Sequence, residues 1–207
     1  MRGDANAVAV FSRLAYALDF MKGTLVFPPS IAAERTYGRP MNLTLVKSVY
    51  DGTLNGRAIN CYTVAEAADD DPSFRSYICP YKAGDLSYTV LGHEADFCFT
   101  FAMDGCTFAV GTPTPNGEVI VSHGNAKGNT EGAGDQASRQ QDFATDFHRQ
   151  GVAGVLDPST YRLSNKHIST TFGVREGGRW AFHSLRYKRV KDTYPFAYEH
   201  LGVTKFA

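Results

Sequence analysis

The stretch HISTTFGVREGGRWAFHSLRYKRV (167–190) alternates apolar and polar side chains on both sides of Glu176-Gly177-Gly178. A period of two around a glycine turn builds an antiparallel hairpin and excludes a helix, whose period is 3.6. The same alternation recurs upstream. NLTLVKSVY (42–50), a turn at Asp51-Gly52 and GRAINCYTV (56–64) read as a second hairpin. RSYICPYK (75–82) and LSYTVL (86–91) read as further strands, 96–111 as an apolar, aromatic run and 118–123 as a short strand. Helices are expected in two places. One covers 4–22, with Asp4 as N-cap, Gly23 just past the end and Val8, Phe11, Ala15 and Leu18 on one face; the other covers about 137–150. The pattern predicts an α+β chain, a mostly antiparallel β-sandwich with flanking helices, in one domain spanning 1–207.

The composition supports a folded core, with 43% apolar and 20% charged residues. Lys and Arg balance Asp and Glu at 21 each, which removes the electrostatic reason to expect nucleic acid as a partner. No apolar run is long enough to span a bilayer. The N-terminal segment is interrupted by Asp4, Arg13 and Asp19 and lacks the apolar centre of a secretory signal. EAADDDPSF (66–74) reads as a solvated acidic loop, HGNAKGNTEGAGDQAS (123–138) as a flexible one, and RYKRVK (186–191) as a basic edge strand.

Four cysteines occur singly, without a C-x-x-C pair, so reduced thiols are expected. Cys61, Cys79 and Cys98 read as core, and Trp180 as a core anchor. His93 reads as capping a turn, His148 as exposed on its helix, and His167 and His183 as cross-strand partners. No spacing of ligands points to a metal, and nothing points to a cofactor.

One cysteine differs. In FTFAMDGCTFAVGTPTPNGEVIVSHGN (99–125), Cys106 stands at the mouth of a hairpin with His123 on the returning strand. A two-residue turn at Asn116-Gly117 would set Val110 opposite His123 and leave Cys106 about 13 Å away. Pro113 and Pro115 cannot donate to a ladder and favour a loop over 112–117. Residue 111 then faces 118, and Cys106 faces His123 directly, with Thr107 and Ser122 on the opposite side of the sheet. Opposed residues lie close enough for a thiol–imidazole contact, and a thiolate beside an imidazolium is a nucleophile with a depressed pKa. Backbone N–H groups at Gly105-Cys106 would then hold an oxyanion. On the residues alone, an inert buried thiol remains the other reading.

The string FTFAMDGCTFAV followed by His123 resembles the catalytic stretch of the cytotoxic necrotizing factor and Burkholderia lethal factor type of bacterial toxin, which are Cys–His glutamine deamidases. Gly105-Cys106 matches the Gly-Cys pair that opens a strand in that family, with Asp104 in place of its serine. His123 matches the family's histidine. Thr100, six positions before the cysteine, matches a threonine of the lethal factor.

The resemblance covers residues 99–123 and implies a β-sandwich with helices on its outer faces. It further implies Cys106 as nucleophile, His123 as general acid/base, Thr100 supporting the dyad or the oxyanion, Gly105 as backbone support, and no cofactor. The substrate it implies is a glutamine of a host protein, a Rho-type GTPase in one branch of the family and a translation-initiation helicase in the other. The chain would then be a monomer, secreted or injected without a classical signal peptide and acting in the host cytosol. Two alternatives stay open: a Cys–His protease or acyltransferase, and a non-catalytic β-sandwich binding module with Cys106 in its core.

Overall fold

The computed structural model of the chain describes residues 2–29, 38–125, 133–149 and 151–207. Asp4 caps the first helix, α1 (Ala5–Phe11), its carboxylate accepting from the Ala7 amide at 3.0 Å. The single helix expected over 4–22 is two helices. The Ser12 amide closes α1 on the Val8 carbonyl, Arg13 is extended, and α2 (Leu14–Gly23) begins afresh. The break turns Phe11 fully inward against Phe74, Phe97 and Phe99, while Ala17 and Met21 bury the inner face of α2.

The strands before the central helix are β1 (Leu25–Phe27), β2 (Met41–Lys47), β3 (Asp51–Leu54), β4 (Arg57–Ile59), β5 (Cys61–Glu66), β6 (Phe74–Cys79), β7 (Leu86–Leu91), β8 (Phe97–Thr100), β9 (Thr107–Gly111) and β10 (Val119–Gly124). Next come α3 (Ala133–Phe147), β11 (Val152–Leu156), α4 (Pro158–Tyr161), β12 (His167–Glu176), β13 (Arg179–Lys191) and β14 (Ala197–Lys205). Helix α3 starts before the expected 137, and much of the expected loop, residues 126–132, lies outside the described residues.

Ten strands form one sheet in the order β1-β5-β2-β6-β8-β12-β13-β14-β3-β4, and four form a second in the order β11-β9-β10-β7. Three pairings, β1–β5, β6–β8 and β14–β3, are parallel, and the rest among the described residues are antiparallel. The mostly antiparallel reading therefore holds, whereas the sandwich describes the molecule only loosely. The large mixed sheet curls until it nearly closes into a barrel, and the smaller sheet packs outside it. A strongly twisted sheet of about ten strands rarely stays open and flat.

Gly52 shows what the closure demands. Expected in a turn, it lies inside β3, where a β-carbon would clash with Cys61 Sγ and stand 3.0 Å from Leu25 Cδ1. The turn itself is Asn55-Gly56, both residues at positive φ (51° and 74°), as a two-residue hairpin loop requires. The late hairpin turns through Gly177-Gly178 in the same way, with Glu176 paired to Arg179.

Two cores result. One fills the barrel and includes Cys61, Leu43, Leu45 and the Phe11 cluster. The other lies between the sheets and contains Cys79, Cys98, Cys106, Phe108 and Val121, with Trp180 packed at its margin. All four cysteines are free and buried. No helix among the described residues is long and apolar enough to cross a membrane.

Candidate active site

The hairpin that carries Cys106 and His123 takes neither of the two anticipated registers. Val121 pairs with Val110, His123 with Phe108, and Gly124 with Thr107. Cys106 therefore does not face His123 directly, because the ladder is displaced by two residues. The cause lies in the loop. The Thr114 carbonyl accepts from Gly117 and its Oγ1 from the Glu118 amide, while the Thr114 amide donates to the Glu118 carbonyl, so the turn draws Glu118 out of the strand. A slip of two preserves the faces of the strand, whereas a slip of one would invert them. Cys106, Phe108, Val121 and His123 still point inward, now with Cys106 diagonal to His123. Thr107 and Ser122 point outward as expected, toward α3, where they bond Gln140 Oε1 at 2.9 Å and His148 Nε2 at 2.9 Å.

His123 is completely buried, and its polar partner comes from the other sheet. Thr100, the last residue of β8, places Oγ1 2.6 Å from His123 Nδ1 and 3.3 Å from the Cys79 carbonyl on the neighbouring strand. A hydroxyl has one proton to give, and the carbonyl can only accept. Thr100 therefore donates to Cys79 and accepts from His123 Nδ1–H. That assigns the tautomer: Nε2 carries the lone pair, and it is buried with no hydrogen-bond partner. The Tyr81 ring packs edge-on against the imidazole at 5.3 Å, and its hydroxyl accepts from Asn125 Nδ2 at 2.5 Å. Burial pushes the imidazole pKa down to about 4, so the ring is neutral at neutral pH.

Cys106 precedes β9 and is 3% exposed. Burial, reinforced by Asp104 and opposed by Arg162, pushes its thiol up to about 12. The expected thiolate–imidazolium pair is therefore not the resting state; a neutral thiol and a neutral imidazole share one face without a hydrogen bond between them.

The segment bearing Cys106 is clamped on both sides. Met103 and Ser169 exchange two backbone hydrogen bonds of 2.9 Å, and Tyr161 Oη donates to the Cys106 carbonyl at 2.7 Å. Tyr161 is placed by α4, which begins at Pro158 and is capped by the Asp157 carboxylate. Gly105 has φ +155°, and the place of its missing β-carbon is occupied by the Arg162 guanidinium, 2.7 Å from Nη1.

Thr100 and His123 are thus joined directly, and Cys106 and Gly105 lie on the same inner edge. Sequence reasoning missed Tyr81, Asn125, Tyr161 and Arg162. Asn125 follows His123 by two and shares its face, a signal that alternation offered; the other three arrive only through tertiary packing. His148, expected to be exposed, is buried at 6% and bonded to Ser122. His93 holds a turn, with Nε2 2.8 Å from the Asn116 carbonyl and Nδ1 accepting from Arg175 Nη2. No cluster of three or more His, Cys, Asp or Glu among the described residues is arranged to hold a metal ion.

No protein-family model matches the chain, and no curated protein matches it. Among solved structures, it is similar to the C-terminal domain of CNFy from Yersinia pseudotuberculosis, with a TM-score of 0.44, 11% identity and 99% of each chain covered.

Proposed function

We propose that the protein is a cysteine-dependent glutamine deamidase of the bacterial toxin or effector kind, acting on a protein of a host cell. The observation that carries the reading is the Thr100–His123 hydrogen bond, which leaves a buried, unpartnered Nε2 lone pair on the face shared with Cys106. A neutral dyad works by concerted transfer. As Cys106 Sγ attacks the carboxamide carbon, the thiol proton passes to His123 Nε2, and the Cys106 amide stabilises the oxyanion. His123 returns that proton to the departing nitrogen, and ammonia leaves. Water, deprotonated by His123, then cleaves the thioester to give glutamate and the free thiol. Rotation of the Cys106 side chain on substrate entry closes the diagonal gap to Nε2. Thr100 holds the ring in the reactive tautomer throughout, and the Tyr161 bond fixes the backbone whose Cys106 amide binds the substrate oxyanion. The site works as a monomer without a cofactor, and its target lies in the host cytosol.

The 3% exposure of Cys106 favours a second reading, a binding module with an inert thiol. Mass spectrometry of a eukaryotic lysate incubated with the wild type or with Cys106→Ser separates the two. A glutamine converted to glutamate only by the wild type supports deamidation. New peptide termini point to a protease instead, and identical spectra leave the binding module.

A further inference from the structure

We infer that Arg162 forms a carboxylate-binding subsite beside Cys106, so that the substrate presents an acidic side chain next to the carboxamide that is attacked. The inference rests on the reading of Cys106 as nucleophile and adds what kind of peptide that nucleophile meets. The guanidinium lies against the backbone of the nucleophile segment: a β-carbon on Gly105 would stand 2.7 Å from Nη1 and 3.4 Å from Cζ. Its place is held by the adjacent residue, since Tyr161 is 2% exposed and bonded to the Cys106 carbonyl at 2.7 Å.

The Arg162 side chain is only partly buried, and its guanidinium makes no ion pair or hydrogen bond with any described residue. A guanidinium offers five donors in a planar fork, and a carboxylate is the side-chain group that accepts two of them side by side. The charge is also felt at the reacting atom, where it opposes the rise of the Cys106 thiol. Asp104, exposed and adjacent to Gly105, acts on the same thiol in the opposite sense. The nucleophile therefore sits in a field with one cationic and one anionic flank. An acidic substrate residue is drawn to Arg162 and repelled by Asp104, which sets the direction in which a peptide crosses Cys106.

Iodoacetate and iodoacetamide are alkylating agents of similar size that differ by this charge. The rate of Cys106 modification by each is read by peptide mass spectrometry and divided by the rate for a free small thiol. The iodoacetate-to-iodoacetamide ratio cancels any change in thiol acidity, because both reagents consume the same thiolate. The wild type is expected to favour iodoacetate by about fivefold relative to the free thiol. Arg162→Gln should abolish the preference, Arg162→Lys retain part of it, and Asp104→Asn increase it. A ratio indifferent to Arg162→Gln overturns the subsite while leaving the nucleophile in place. A Cys106 that stays inert to both reagents even at pH 10, where a thiol raised to about 12 is already thiolate in small part, removes the nucleophile, and the subsite with it.

Discussion

Thr100 and His123 belong to different sheets and meet at 2.6 Å, so one hydrogen bond spans the interior between the two layers. It sits near the ends of β8 and β10, at the margin of the second core and beside Tyr81 and Asn125.

Removing that hydroxyl separates its structural part from its chemical one. Thr100→Val keeps the shape but leaves the His123 Nδ1–H unpaired in the core, a loss of about 1–3 kcal/mol. Deamidation should fall by about 100-fold, because Nε2 is no longer held as the lone-pair nitrogen. Thr100→Ser keeps the relay and should recover most of both. Urea unfolding and glutamine conversion, measured on the same three proteins, check the pair of effects.

At Gly105 the constraint is the backbone. With φ +155°, alanine is strained by about 1–3 kcal/mol, and its methyl group displaces the Arg162 guanidinium. Gly105→Ala is expected to lower the unfolding midpoint in urea and to slow alkylation of Cys106.

Stability should fall off at both ends of the pH scale, for opposite reasons. His123 has a folded pKa of about 4, below that of the unfolded chain, so the unfolded state binds more protons as the pH falls from about 6.5 toward 4. Stability is full above that window and drops by about 3 kcal/mol across it. Cys106, raised to about 12, is the reverse case: its contribution is intact below about 9 and is lost as the unfolded thiol ionises above that pH. Urea unfolding from pH 4 to 10 checks both limbs, and His123→Gln should make the acidic one shallower, leaving the part that comes from His148 and His183, which burial also lowers.

Far from the site, Gly52→Ala tests the barrel closure. The added methyl would clash with Cys61 Sγ, and overpacking of this kind costs about 1–3 kcal/mol. Thermal unfolding should shift down, while Cys106 alkylation by iodoacetamide stays at the wild-type rate.

What could be read from the chain was what local chemistry decides. β7 occupies the expected 86–91, and the late hairpin turns at its glycines, because alternation and turn residues act over a few positions. The parallel pairings within the large sheet join segments separated by other strands, and no local pattern announces them. In the Cys106 hairpin the prolines rightly excluded the two-residue turn, but the Thr114–Glu118 bonds moved the register by two residues. Thr100 stands out only through the resemblance to a toxin family's threonine, and its contact with His123 depends on how the sheets stack. Tyr161 lies 55 residues from Cys106, and nothing in its own segment signals the contact.

Nitrogen-15 NMR of the His123 imidazole measures the central relationship most directly. The relay through Thr100 to the Cys79 carbonyl predicts a proton on Nδ1, none on Nε2 at neutral pH, and no second proton until the pH approaches about 4. A proton on Nε2, or an imidazolium at neutral pH, would contradict it, since His123 could not then accept the proton of Cys106.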